Sequence, residues 1–143
     1  KIAGLNSART LMYVTAAAVH VVELVSVRLG NASEELNTQI ECVLQKVNAL
    51  GTPTATTVTP AKDEAGDQAA GAVVKANVTA SEPTYVANTE IGYDGEASLA
   101  GYLYEPLEGE RPIIAPSATW GFRLLSTPPA FDAIVRMRFR EIG

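Results

Sequence analysis

The stretch that most constrains this chain is the C-terminal one, Thr119 to Ile142, where two runs alternate residue by residue. In the first, Trp120, Phe122 and Leu124 alternate with Thr119, Gly121 and Arg123. In the second, Ala133, Val135, Met137 and Phe139 alternate with Ile134, Arg136, Arg138 and Arg140. Successive side chains of a strand point to opposite faces, so a period of two marks a strand with one buried and one wet face. Joined by Ser126-Thr127-Pro128-Pro129-Ala130, the two runs predict a long antiparallel pair at the centre of a sheet. Its apolar face would meet a second layer, and its other face would carry a row of arginines.

A length of 143 residues suits one domain, since a chain of this size buries roughly two-thirds of its unfolded surface around a single core. Hydrophobic residues at 47% against 19% charged describe a folded chain, and the abundant Val and Thr favour strands. The net charge of −5 argues against nucleic acid as a ligand, because affinity for phosphate backbones comes from a positive field. One cysteine, Cys42, cannot close an internal disulfide and points to folding in a reducing cytoplasm. The apolar run Val14 to Val27 is interrupted by His20 and Glu23 and falls short of the roughly 20 residues of a membrane helix, so no membrane partner is expected.

Taken in order, Lys1 to Ala8 reads as an extended N-terminal arm, a kind of segment that usually frays. Arg9 to Thr15 and Val19 to Leu29 read as strands, the second ended by Gly30-Asn31. From Asn31 to Leu50 the apolar residues Leu36, Ile40, Val43, Leu44, Val47 and Leu50 make a helical stripe, with Asn31 or Ser33 before Glu34-Glu35 as a cap. Gly51 to Ala72 is a long polar excursion, of a length that often carries contacts. Strands are expected at Val73 to Thr79, at Thr84 to Tyr93 with a stop at Asp94-Gly95, and at Gly101 to Tyr104. Many short strands punctuated by Pro and Gly indicate an all-β antiparallel sandwich or jelly roll, with the arm at 1–8 and one domain over 9–143.

No catalytic set emerges. His20, the only histidine, stands among valines with no nucleophile in a recognisable setting. Without a second His or Cys there is no zinc site, and Asp63, Glu64 and Asp67 lack the spacing of a calcium loop, so neither metal nor cofactor is expected. Glu23, Glu41, Glu90, Asp94 and Glu105 offer carboxylates, but nothing selects a pair. Tyr102, Tyr104 and Trp120 could form a sugar platform, although a sandwich core also needs large side chains. The candidate interface residues are Arg123, Arg136, Arg138 and Arg140, with Lys62 and Asp63 of the polar excursion. Such arginines ordinarily pair with carboxylates on neighbouring strands; the other reading is a subunit or partner interface, where Arg is enriched.

The segment Gly101-Tyr102-Leu103-Tyr104-Glu105-Pro106-Leu107-Glu108-Gly109-Glu110-Arg111-Pro112-Ile113-Ile114-Ala115-Pro116-Ser117 resembles a pattern of small structural proteins of tailed phages and prophages. Val58-Thr59-Pro60, Gly66 to Gly71, Val74 to Thr79 and the closing Phe139-Arg140-Glu141-Ile142-Gly143 are similar to that family too, so the likeness covers most of the chain from about Thr10. The resemblance implies a β-sandwich and a strand, rather than a helix, at about Thr38 to Val47. It implies a non-enzymatic capsid cement or decoration protein, a homo-oligomer with a trimer favoured, on the outer shell of the virion with the major capsid protein as partner. A tail or head-fibre component and a carbohydrate-binding adhesin module are the alternatives.

Overall fold

The computed structural model describes residues 1–32, 39–63, 65–97 and 101–143, with backbone only for 93–97. Among the described residues there is no helix. The strands are β1 (Ile2–Leu5), β2 (Thr10–Thr15), β3 (Val21–Asn31), β4 (Gln39–Ala49), β5 (Thr54–Val58), β6 (Val73–Ala80), β7 (Thr84–Tyr85), β8 (Ile91–Ala97), β9 (Tyr102–Tyr104), β10 (Ile113–Ile114), β11 (Thr119–Leu124) and β12 (Phe131–Ile142). They form two antiparallel sheets packed face to face, a β-sandwich. One sheet runs β1-β12-β3-β10, with β9 also on β3; the other runs β5-β6-β2-β11-β4-β7, with β8 also on β4.

The C-terminal runs are strands, but they are not a hairpin. β11 lies between β2 and β4 in the seven-stranded sheet, whereas β12 lies between β1 and β3 in the five-stranded one. The link through Pro128-Pro129 therefore crosses between layers. Period two says which face of a strand is buried, and two apolar faces can be buried side by side in one layer or opposite each other across the core. Here they meet across the core, where Phe122 and Leu124 of β11 share a cluster with Leu24, Val27, Phe131 and Ala133 of the other sheet. A second cluster of Met12, Val14, Val22, Val74 and Ile114 closes the other end, and Trp120, Val135, Met137 and Phe139 pack against both.

In β3 the apolar phase breaks halfway along the strand. Arg138 pairs with Ser26 and Phe139 with Leu24, so Val25 is an extra residue, a β-bulge. A one-residue insertion moves every later side chain to the other face. Val22 and Leu24 accordingly point inward before the bulge, and Val27 and Leu29 after it; all four are buried. The strand continues through Gly30 and Asn31 rather than ending there, pairing with Ile134 and Ala133.

The 39–49 segment is a strand despite its helical stripe. Ile40, Cys42 and Leu44 face the core, while Val43, Gln45 and Val47 face outward and are buried as well. A strand covered on both sides loses its two-fold pattern, and its apolar positions then fall at helix-like spacings. Of the two expected caps, Asn31 is the last residue of β3, and Ser33, with Glu34, Glu35 and Leu36, lies outside the described residues.

Three further expectations change. The arm is not frayed, because Ile2 and Leu5 pair with Ala133 and Phe131 and are buried, and Asp132 accepts a hydrogen bond from the Gly4 N–H at 2.9 Å. The polar excursion contains β5, an edge strand paired with β6. Asp94-Gly95 does not turn the chain but pairs with Cys42 and Glu41; the irregularity falls earlier, where Gly92 takes φ +57° beside a register shift.

Candidate interaction surfaces

The outer face of the five-stranded sheet gathers arginines by register. Arg136 of β12 stands opposite Arg28 of β3, Arg138 opposite Ser26 and Arg140 opposite Glu23. Their neutralisation is graded along the row. Glu23, only 4% exposed, is held between Arg140, whose Nε contacts its Oε2, and Arg111, whose Nη1 is 3.5 Å from its Oε1. Arg138 meets Asp63 of the 59–72 loop at 3.5 Å, an exposed pair of little worth, and Lys62 beside it is exposed. Arg28 and Arg136 make no ion pair among the described residues, although like charges directly across a strand pair repel.

Apolar side chains stand among these charges. Leu103 of β9 pairs with Arg28 and Ile113 of β10 with Glu23, and they are 61% and 56% exposed. Ile134 and Ile142, at the two ends of the β12 row, are 41% and 45% exposed. Sequence reasoning found three of the four arginines on this face and missed Arg28 and the apolar residues. The signal that could have found Arg28 is the phase break in β3, which turns it to the same side as Glu23.

Arg123 is not part of that row. It belongs to β11, on the outside of the opposite sheet, where its guanidinium lies over the Tyr85 ring at 4.4 Å. Tyr85 reaches there from β7 across Gly121, which has no side chain to obstruct it: a Cβ on Gly121 would lie 2.6 Å from the phenolic oxygen. A short hydrogen-bond chain follows. Thr10 Oγ1 is 2.6 Å from both Glu82 Oε2 and Tyr85 Oη. An ionised carboxylate only accepts, so the Thr10 hydroxyl donates to Glu82 and the Tyr85 hydroxyl donates to Thr10. Beside it Gln45 Nε2 donates to the Val86 carbonyl at 2.9 Å and to Glu90 at 2.6 Å, fixing the 81–90 segment over the sheet. Arg9, Glu82, Pro83, Tyr85, Arg123 and Leu125 line a cleft of about 130 Å³ at the edge of this cover.

Burial pushes the Tyr85 phenol up to about 12; the neighbouring Glu82 charge adds to the rise, and the Arg123 charge opposes it. A phenol that holds its proton more tightly when folded stabilises the fold fully below about pH 10, and that contribution is lost as pH rises toward 12. Alkaline titration followed by phenolate absorbance should show one tyrosine ionising near 12 or only with unfolding. Simultaneous ionisation of all tyrosines near 10 in folded protein would contradict this.

The remaining candidates are structural. Tyr102 is buried, stacks on Phe122 with ring centroids 5.3 Å apart and donates to the Gly92 carbonyl at 2.5 Å. With Trp120 and Tyr104 packed against the core, the three aromatics form no sugar platform. His20 Nδ1 lies 3.8 Å from Glu141, whose carboxylate accepts the Gly71 and Ala72 N–H groups and ties the long loop to the end of β12. Glu23 and Glu90 lie on opposite outer faces and cannot act as a pair. Among the described residues no three His, Cys, Asp or Glu side chains gather as metal ligands, and no helix is long and apolar enough to cross a membrane.

Comparison with protein-family models, with curated proteins and with solved structures returned no match to this chain.

Proposed function

We propose that this chain is a non-enzymatic structural protein of a tailed-phage virion, a capsid cement or decoration protein that docks on the outer shell through its five-stranded sheet. The observation that carries the proposal is the Arg28–Arg136 pair, which no described residue neutralises, flanked by exposed Leu103 and Ile134 on one sheet face. Arginine with aliphatic neighbours is the composition of a protein contact: the planar guanidinium binds carboxylates in two-point fashion, and the aliphatic groups supply area removed from water. Glu23 and Asp63 answer Arg140 and Arg138, but no carboxylate among the described residues pairs with Arg28 or Arg136, so a partner that docks there brings its own. The resemblance of the 101–117 segment and its neighbours to phage structural proteins makes that partner the major capsid protein.

A specific contact of standard size takes about 800 Å² from each partner, roughly a tenth of the 7787 Å² exposed here. Binding across neighbouring shell subunits, and only to the assembled shell, stabilises the assembled state by linkage. As a homo-oligomer, with a trimer the favoured form, the protein would present several such faces at a local symmetry axis and gain avidity.

Co-sedimentation with mature empty capsids tests the proposal. The unaltered protein should saturate the shell, and Arg28→Glu with Arg136→Glu should weaken binding by about a hundredfold or more, as expected when attraction becomes like-charge repulsion at a desolvated contact. Both residues are exposed, so thermal stability should be unchanged. Binding to isolated tails or fibres with none to capsids would overturn the cement assignment.

A further inference from the structure

On the face opposite the arginine row, the cleft at the ends of β2 and β11 has the chemistry of an anion site. Two arginines, Arg9 and Arg123, line it with one acidic residue, Glu82. Glu82 is already occupied by neutral donors: its Oε2 accepts the Thr10 N–H at 3.0 Å and the Thr10 hydroxyl at 2.6 Å, and Tyr85 completes that chain. Neither arginine forms an ion pair among the described residues, so the cleft keeps a net positive charge. The Nε atoms of Arg9 and of Arg123 are both enclosed by protein and have no hydrogen-bond acceptor. A guanidinium cannot relieve this by losing its proton, and a buried donor without an acceptor is costly.

Size and shape narrow the ligand. About 130 Å³ holds a group of a few heavy atoms. Two planar forks match the two oxygens of a carboxylate, and Ala8, Pro83, Leu124 and Leu125 give the cleft an apolar wall. We propose that the cleft between Arg9 and Arg123 binds a carboxylate attached to a short apolar chain. The carboxylate, together with Glu82, balances the two guanidiniums, and its tail lies along Pro83 and Leu125. A small free acid and the C-terminus of a peptide share this chemistry.

Chemical-shift titration of the full chain tests the site with three probes: sodium propionate, an acetylated dipeptide acid ending in leucine together with its amide, and inorganic phosphate. Saturable shifts at Arg9, Glu82, Tyr85 and Arg123 with propionate or the peptide acid, and none with the amide, are expected. Arg9→Gln should weaken binding by at least about tenfold, the value of one charge-assisted hydrogen bond, while the melting temperature stays unchanged. Arg123→Lys, which keeps the charge and loses the fork, should weaken it similarly. A peptide acid binding more tightly than propionate identifies a chain terminus as the ligand; equal affinities identify a free acid. Three results overturn the proposal: no saturable shift below about 50 mM, affinity unaltered in Arg9→Gln, or phosphate binding more tightly than either carboxylate.

Discussion

Phe122→Ala is expected to destabilise the fold by about 3–5 kcal/mol, the cost of removing a buried aromatic ring and leaving a cavity. Phe122 is fully buried in the middle of β11, stacked on Tyr102 and surrounded by residues from both layers. β11 itself is held on both sides, by β2 and β4, which limits how far the site can collapse to fill the space. The melting temperature of a chain this long should fall by roughly 6–20 °C, a large part of a domain's usual 5–15 kcal/mol. Phe122→Leu, which keeps most of the volume, should cost less than about 1.5 kcal/mol. Chemical denaturation of both variants checks the pair; similar midpoints would mean that Phe122 is not central to the packing.

Gly121→Ala is expected to cost about 2–4 kcal/mol although it adds a single methyl group. The new Cβ would lie 2.6 Å from Tyr85 Oη and 3.0 Å from its Cε1. The ring must leave, which breaks its hydrogen bond to Thr10, takes the aromatic face from Arg123 and uncovers the outer side of β11. The expected signature is coupling. In a Tyr85→Ala background, Gly121→Ala should cost almost nothing, because the collision is gone. The alkaline titration should also lose its component near 12 in the single variant. Additive losses in the double variant would show that Tyr85 does not lie across Gly121.

The two substitutions act on opposite faces of one strand, and that explains what the sequence disclosed. Alternation from Trp120 to Leu124 and from Ala133 to Phe139 identified strands and their inward faces correctly, because each inward side chain meets the core. It could not identify partners, since Phe122 is buried equally well beside β12 or across from it. β4 escaped the alternation test because its outward Val43, Gln45 and Val47 are buried too, Gln45 and Val47 by the 81–90 segment, a contact from distant sequence. In β3 the bulge at Val25 scrambled a pattern that is regular on either side of it.

The candidate surface was half legible for the same reasons. Arg136, Arg138 and Arg140 share a face because they lie two residues apart on one strand. Arg28 joins them only through register, and Arg123 leaves them because β11 belongs to the other layer. Arg9 and Arg123 meet in one cleft because the Leu124 N–H bonds to the Arg9 carbonyl at 3.0 Å, a pairing between distant residues that local pattern does not reveal. Charge spacing along a chain reports a shared face within one strand and nothing between strands.

The most direct test of the proposed role is cryo-electron microscopy of mature capsids incubated with the purified protein. Density on the outer shell at local symmetry axes, with Arg28, Arg136 and Arg138 turned toward carboxylates of the major capsid protein, is the expected result. Density confined to the tail, or a shell-bound protein whose five-stranded sheet faces solvent, would contradict it.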